Sequence, residues 1–181
     1  GAYGAFLDYT PCMFISGQSK RKETIRNSGL RLRQFGVQEA DIIPIVESLT
    51  KYAVMINDPN QIAYHLDKAV YLAKSGRPGP VLLDIPMDVQ RAQINPRTLK
   101  DYRNNPTSKT NCQLDSNTWT RILKIINSSQ RPVVLLGGGL RLSKAQDELL
   151  EFINKTGIPV VTSLMGLDAI SHNHPVFLGM I

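Results

Sequence analysis

The sequence Gly76-Arg-Pro-Gly-Pro-Val-Leu-Leu-Asp-Ile-Pro-Met-Asp-Val-Gln90 carries the clearest structural signals in this chain of 181 residues. Gly76 can adopt a positive φ angle that ends a helix, and Pro78 and Pro80 prevent the helix from continuing. The next residues, from Val81 to Ile85, are almost all apolar and lie between prolines. Such a run is typical of a parallel strand that is covered on both faces. We therefore predict a buried strand here, directly after a helix.

The segment before Gly76 has the pattern of an amphipathic helix. Asp58 is a suitable N-cap, Pro59 suits the first helical position, and Gln61 follows three residues after the cap. Apolar residues then recur at helical spacing on one predicted face, namely Ile62, Leu66, Ala69, Val70 and Ala73. This helix and the strand after it form an αβ unit, which predicts an α/β sheet.

The residues before Asp58 repeat this pattern. Apolar runs predict strands at 12–15 and 52–56, with a helix between them that begins near Asp41. The inner face of that helix is predicted to hold Ile42, Ile45, Val46 and Leu49. Residues 19–36 are polar and basic, which predicts a long loop of the kind that compact domains keep for binding or gating.

The composition changes after Gln90. Residues 91–115 are rich in proline, asparagine and other polar residues, which is typical of an interdomain linker. Asp115 and Ser116 then predict the start of a helix, and a buried strand is predicted at 131–136. The apolar stripe of the helix consists of Trp119, Ile122, Leu123 and Ile126.

Three glycines follow this strand directly and predict a turn into another helix. Ser143 and Gln146 match a capping box for that helix, and Gly157 is expected to end it before a strand at 159–162. Its inner face is predicted to hold Ala145, Leu149, Phe152 and Ile153. The fold class is therefore α/β, with parallel sheets flanked by helices in two incomplete Rossmann-like three-layer domains.

The net charge of +6 raises the question of nucleic-acid binding. Much of the charge lies within 19–36, where no aromatic residues alternate with the basic ones and no nucleic-acid-binding motif occurs. We therefore favour a solvated or channel-lining basic loop, which could also steer anionic substrates, and predict no nucleic-acid partner. The basic residues concerned are Lys20, Arg21, Lys22, Arg26, Arg31 and Arg33.

Membrane, disulfide and metal sites are not indicated. No apolar run approaches the roughly 20 residues that span a bilayer, so we predict no membrane partner. Cys12 and Cys112 are far apart in sequence and lack nearby ligands, which favours two free thiols in a reducing cytoplasm. His172 and His174 are not spaced as a helical metal pair, and His65 is isolated.

The motifs Ala73-Lys-Ser-Gly-Arg-Pro-Gly-Pro-Val81 and Asp84-Ile-Pro-Met-Asp-Val-Gln90, with several shorter ones in order, resemble the thiamine diphosphate enzymes of the acetolactate synthase group. The resemblance spans nearly the whole chain, so 1–90 is identified as the later part of the pyrimidine-binding domain. By the same resemblance, 91–115 is a linker and 116–181 is the first half of a central domain that binds FAD or another nucleotide. The matching motifs begin at Leu7, Gln38, Thr50, Ala73, Asp84, Pro159 and His174.

The resemblance implies an enzyme that decarboxylates a 2-oxo acid such as pyruvate and transfers the two-carbon unit to an acceptor. It also implies thiamine diphosphate and Mg²⁺ as cofactors, and a homodimer or homotetramer of the parent enzyme. The family's catalytic glutamate falls upstream of Gly1, and its Gly-Asp-Gly motif for the diphosphate and Mg²⁺ does not occur here. We therefore predict that this chain alone is an inactive fragment with no catalytic residue of its own.

The resemblance places Gln18 and Gln38 at the substrate channel, with Gln38 in a loop that crosses a subunit boundary. A polar loop residue without a special role is the alternative for Gln38. Met87 stands where acetolactate synthases have a lysine close to the substrate. Because methionine offers no charge to a carboxylate, the acceptor is expected to differ from pyruvate or 2-oxobutyrate, as in carboligase-type or sugar-modifying relatives.

The glycine turn is the candidate nucleotide site. As a dinucleotide fingerprint it fails, because Leu142 stands where the last glycine is needed, and a tight structural turn is the alternative. The resemblance implies FAD at this place, although other relatives leave it empty or bind a different nucleotide. The matching residues are Gly137, Gly138, Gly139, Arg141, Ser163, Leu164 and Met165. A noncatalytic FAD- or ADP-binding module is the competing functional interpretation.

Overall fold

The computed structural model describes residues 1–102 and 114–181. Cys112 and part of the predicted linker therefore lie outside the described residues. The chain divides into two compact units, Gly1–Pro106 and Thr107–Ile181, which we call unit 1 and unit 2.

Unit 1 contains one parallel sheet of three strands, with the spatial order β1-β3-β2. Short 3₁₀ turns lie at Arg21–Glu23, Glu47–Leu49, Pro59–Gln61 and Pro96–Thr98. The strands and helices, in chain order, are α1 (Ala2–Leu7), β1 (Met13–Gln18), α2 (Ile25–Ser28), α3 (Ile42–Val46), β2 (Tyr52–Met55), α4 (Ile62–Lys74), β3 (Val81–Pro86) and α5 (Met87–Gln90).

Strand β3 is the centre of unit 1, as its apolar sequence predicts. It pairs with β1 on one side and β2 on the other, and five of its six residues are buried. Val81 and Leu83 pack toward Ala69 of α4, whereas Leu82 packs toward Ile43 of α3. Helices therefore cover both faces of the sheet, and the parallel α/β prediction is confirmed.

Several details of unit 1 differ from the sequence predictions. Val70 of α4 and Ile45 of α3, both predicted on inner faces, are 46% and 62% exposed, and in α3 Ile43 is buried instead. The reason is that each helix packs only one narrow stripe of side chains against the sheet. Asp58 does act as a cap, but on the 3₁₀ turn, where its carboxylate accepts from the backbone N–H of Asn60. The predicted loop at 19–36 contains α2 and a 3₁₀ turn.

Unit 2 contains a second parallel sheet of three strands, with the order β4-β5-β6. Its buried core joins Leu136 and Val160 of the sheet to Leu149 and Ile153 of a helix. The strands and helices are α6 (Ser116–Ser128), β4 (Val134–Leu136), α7 (Gly139–Ser143), α8 (Gln146–Thr156), β5 (Val160–Thr162) and β6 (Phe177–Met180). Gly157 ends α8 at a φ angle of +64°, as predicted.

The predicted capping box in unit 2 is wrong. Ser143 ends the short helix α7, where its hydroxyl donates to the carbonyl of Leu140. Lys144 then adopts a left-handed conformation, and α8 begins after Ala145 without a side-chain cap. The sequence pattern suggested one helix start, but the chain makes an additional helical turn before it.

Two further features of unit 2 differ from expectation. The strand β6 was not predicted, and β4 is a partly exposed edge strand in which Leu135 is 57% exposed. The apolar stripe of α6 exists, but Trp119 and Leu123 are each about half exposed. In both described segments of the chain, no helix combines the length and apolar character that a membrane crossing requires.

Candidate functional site

The three predicted channel residues lie around one cavity in unit 1. The cavity has a volume of about 310 Å³ and lies at the edge where the carboxyl ends of the parallel strands meet. Gln18 is the last residue of β1, and Met87 follows the last residue of β3. The lining residues are Gly17, Gln18, Ser19, Val37, Gln38, Met87 and Gln90.

Gln18 is held by a polar network whose centre is a buried carboxylate. Asp84, only 1% exposed, accepts from the Ser16 hydroxyl at 2.7 Å and from the Gln18 side-chain amide at 3.1 Å. The same amide nitrogen donates to the carbonyl of Ala40 at 2.8 Å, and the side-chain carbonyl oxygen of Gln18 accepts from the backbone N–H of Ser19. Both amide hydrogens are thus used, so Gln18 ties the loop at 36–40 to the sheet.

Gln38 lies in that loop with a left-handed backbone, at a φ angle of +55°. The neighbouring Glu39 is only 8% exposed and accepts hydrogen bonds from the backbone N–H groups of Ile25, Phe35 and Gly36. Burial of the Glu39 carboxylate raises its pKa, but the three backbone donors lower it by more, so the pKa lies below the usual value. The carboxylate of Glu39 therefore fixes the loop that presents Gln38.

Met87 begins α5 and is 41% exposed. The 3₁₀ turn Arg21–Glu23 packs against this helix, where Asp88 accepts from the backbone and the side chain of Arg21 at 3.0 and 2.8 Å. A second cavity of about 490 Å³ opens beside this pair. Its lining residues are Arg21, Lys22, Asn27, Asn57 and Asp88.

The glycine turn of unit 2 lies against the segment that follows β5. A Cβ atom on Gly137 would lie 3.6 Å from the Ser163 hydroxyl, and one on Gly138 would lie 3.3 Å from the Met165 carbonyl. Leu164 is 69% exposed beside them. Five of the predicted nucleotide-binding residues are thus brought together.

Arg141 and Gly139 take different roles in this part of unit 2. The Arg141 guanidinium contacts Asp168 at 2.6 Å and donates to the carbonyl of Met165, so it ties α7 to the segment after β5. A Cβ atom on Gly139 would meet open space, whereas one on Gly166 would lie 2.5 Å from the carbonyl oxygen of Leu136. Gly166, which the site prediction omitted, is therefore the residue that allows the closest backbone approach.

The roles of Asp84 and Glu39 were not predicted from the sequence. Asp84 had a detectable signal, because an acidic residue inside an otherwise apolar buried strand must find hydrogen-bond partners. Glu39 had none, since its three donors belong to the backbone. Within the described residues, no three His, Cys, Asp or Glu side chains cluster as metal ligands, and Cys12 is a partly buried free thiol.

Comparisons with known proteins cover both units. Residues 119–181 match the family model described as thiamine pyrophosphate enzyme, central domain; thiamine pyrophosphate is another name for thiamine diphosphate. Acetolactate synthase large subunit from Corynebacterium glutamicum is 39% identical over 97% of this chain and 27% of its own length.

Two other relatives show the same extent of similarity. Acetolactate synthase from Arthrospira platensis is 33% identical over all of this chain and 30% of its own length. The probable acetolactate synthase large subunit from Methanococcus aeolicus is 34% identical over all of this chain and 29% of its own length. The chain thus spans less than a third of the length of these relatives. Since the matches extend over both units, the chain belongs to the acetolactate synthase-like family of thiamine diphosphate enzymes.

Proposed function

We propose that this chain forms part of an enzyme that decarboxylates a 2-oxo acid such as pyruvate and transfers the two-carbon unit to an acceptor. The observation that carries the proposal is the cavity shared by Gln18, Gln38 and Met87. It lies outside the carboxyl ends of parallel strands, where α/β sheets bind their ligands. The similarity to acetolactate synthases supports the same chemistry.

The residues of this chain would shape and orient the reaction rather than perform it. Thiamine diphosphate, when bound, supplies the electron sink that decarboxylation of a 2-oxo acid requires. Gln38 is presented at the cavity by a fixed loop and can hydrogen-bond a polar substrate atom. Met87 contributes an apolar, adaptable surface. Gln18 uses its amide group within the protein, so we assign it a positioning role.

The acceptor follows from the chemistry of Met87. An uncharged thioether cannot pair with the carboxylate of a second 2-oxo acid. We infer that the acceptor is not pyruvate or 2-oxobutyrate, and that an aldehyde or a sugar-type carbonyl compound takes its place.

A flavin or another nucleotide is the proposed ligand of unit 2. The backbone at Gly139 faces open space, and the side chains of Leu164 and Met165 are exposed and could contact a ligand. These features fit a nucleotide, with Arg141 holding the segment in place. We propose that groups outside this chain bind Mg²⁺ and the diphosphate, and that the 181-residue chain alone is inactive.

Assembly of two or four copies is part of the proposal. Val37, next to Gln38 in the channel loop, is 89% exposed, the highest value among the large apolar side chains of the described residues. A partner subunit that covers this loop would bury it and complete the cavity.

The test uses the complete protein, meaning this chain together with any residues that precede or follow it. With thiamine diphosphate, Mg²⁺ and pyruvate labelled at its carboxylate, we expect release of labelled CO₂ that depends on thiamine diphosphate. Acetolactate as the main product would contradict the inference about the acceptor. Flavin binding, measured by quenched fluorescence, without any CO₂ release would instead favour the noncatalytic nucleotide-binding module.

A substitution at Gln38 then tests the cavity. In Gln38→Asn, the new asparagine tolerates the left-handed backbone conformation, but its side chain is shorter. We expect kcat/KM to fall about tenfold, because a hydrogen bond to the substrate is lost. Gln93→Asn, at an exposed position outside the cavity, is the matched control. Equal activity of both variants would remove Gln38 from the site.

A further inference from the structure

We propose that the cavity lined by Arg21, Lys22, Asn27 and Asn57 binds the anionic group of a substrate, a carboxylate or a phosphate. This inference rests on the proposed function and extends it, because it gives a place to the carboxylate of the 2-oxo acid donor or to the phosphate of a phosphorylated acceptor. The cavity measures about 490 Å³, which is enough for a carboxylate or phosphate group with the substrate atoms around it.

The position of this cavity connects it to the channel. Asn57 lies just beyond β2, at the carboxyl edge of the sheet that also carries the Gln38 cavity. The turn Arg21–Glu23 packs against α5, the helix that begins with Met87. Asp88, the residue after Met87, is itself a wall of the anion cavity.

Arg21 is held in place before any ligand binds. Asp88 accepts from its backbone N–H at 3.0 Å and from Nε at 2.8 Å, and the carbonyl of Asn57 accepts from Nη1. These contacts leave the other guanidinium N–H groups for a ligand, since only Nε and one Nη1 hydrogen are used. A guanidinium that is already fixed loses less conformational entropy when it binds an anion.

Of the two neighbouring asparagines, Asn57 adds a neutral donor, and Asn27 orients it. The Asn27 amide nitrogen donates to the Arg21 carbonyl at 3.2 Å and to the Asn57 side-chain carbonyl at 2.9 Å. The side-chain carbonyl of Asn57 is therefore occupied as an acceptor, which orients its amide N–H groups away from Asn27. Asn57 thus presents its amide N–H groups, whereas its side-chain carbonyl and the carboxylate of Asp88 are already engaged as acceptors.

Lys22 provides the charge that is not compensated. In the same segment, Lys20 pairs with Glu23 at 3.3 Å and Arg26 pairs with Asp41 at 3.0 Å. Lys22 has no ion pair within the described residues, and it is exposed. Since Asp88 neutralises Arg21, the cavity retains the positive charge of Lys22 and attracts anions.

Binding of inorganic phosphate and of pyruvate to the complete protein tests this assignment by isothermal titration calorimetry. Lys22→Met removes the charge but keeps the aliphatic stem, and we expect at least fivefold weaker binding of the anion that the cavity takes. Lys74→Met, an exposed lysine at the end of α4, is the matched control and should leave binding unchanged. Arg21→Lys keeps the positive charge but loses the planar guanidinium with its paired N–H donors, so it should also weaken binding.

The two anions separate the possible sources of the ligand group. Weaker phosphate binding alone indicates a phosphorylated substrate, and weaker pyruvate binding alone, with a raised KM, indicates the carboxylate. If both variants bind both anions as tightly as the unchanged protein, the proposal is overturned. In that case, CO₂ release by the unchanged protein would still support the proposed function. Conversely, anion binding that depends on Lys22, without CO₂ release, would support the anion cavity and contradict the proposed function.

Discussion

The channel loop of unit 1 and the glycine turn of unit 2 occupy equivalent places but are fixed in different ways. Each lies at the carboxyl edge of a parallel sheet and relies on one glycine with no room for a side chain, Gly36 in unit 1 and Gly166 in unit 2. Unit 1 adds two buried carboxylates, Glu39 and Asp84, whereas unit 2 adds the exposed ion pair of Arg141.

This difference suggests what each loop must do. Buried carboxylates that accept several hydrogen bonds hold one loop geometry precisely, because any displacement leaves a buried polar group unpaired. An exposed ion pair contributes little free energy and permits adjustment. We therefore expect the Gln38 loop to be rigid and the glycine turn to adapt to its ligand.

The largest expected effect comes from replacing the two crowded glycines. A Cβ atom at position 166 would lie 2.5 Å from the Leu136 carbonyl oxygen, and one at position 36 would lie 2.6 Å from that of Glu23. Because these neighbours are backbone atoms, Gly166→Ala and Gly36→Ala should each lower the free energy of unfolding by about 3 kcal/mol. Chemical denaturation of the complete protein measures this loss.

Gly139→Ala serves as the control for both substitutions. A Cβ atom there meets nothing within 4 Å, and Gly139 is the first residue of α7, so alanine should be neutral or slightly stabilising. If Gly139→Ala were as harmful as Gly166→Ala, close backbone approach would not be what fixes the glycine turn.

The next effect distinguishes the two units. Glu39→Gln keeps the shape of the side chain but removes the charge that three backbone N–H groups surround, so the free energy of unfolding should fall by about 2 kcal/mol. Hydrogen exchange at residues 35–40 should accelerate, while exchange at 137–139 stays the same. Faster exchange in both loops would mean that the substitution unfolds the protein generally.

The pH dependence of the same loop follows from the lowered pKa of Glu39. Its stabilising contribution is complete above the unfolded pKa of about 4.3 and is lost as the pH falls through the lower folded value. The unchanged protein should therefore lose protection of residues 35–40 in acid, and the Glu39→Gln variant should show a weaker dependence over the same range. Parallel pH profiles would contradict this role of the carboxylate.

The sequence predicted the elements that depend on local patterns. The strand β3 and the helix α4 follow from an apolar run, prolines and helical spacing, and the parallel sheet follows from their order. The strand β6 was missed because Gly179 interrupts a very short apolar run and adopts a φ angle of +139°. Such a strand forms through pairing with β5, which its own residues do not indicate.

The site was predictable to a similar degree. The resemblance selected Gln18, Gln38 and Met87, which the structure brings to one cavity, but it could not show that Gln18 is engaged by Asp84 and Ala40. The partners of Asp84 lie 66 and 68 positions away in the sequence, on a neighbouring strand. Contacts of this kind depend on strand order, which no local pattern determines.

The smallest effect is expected at the ion pair of unit 2, and it tests whether that pair stabilises the fold or only orients a residue. The side chains of Arg141 and Asp168 are 50% and 61% exposed, and Asp168→Asn should therefore cost only about 0.5 kcal/mol of unfolding free energy. Nucleotide binding to the complete protein, measured by flavin fluorescence, should change more than stability does, since Arg141 would no longer be held toward Met165. A stability loss as large as that of Glu39→Gln would show that the glycine turn is fixed as firmly as the channel loop, and the contrast between the two units would then disappear.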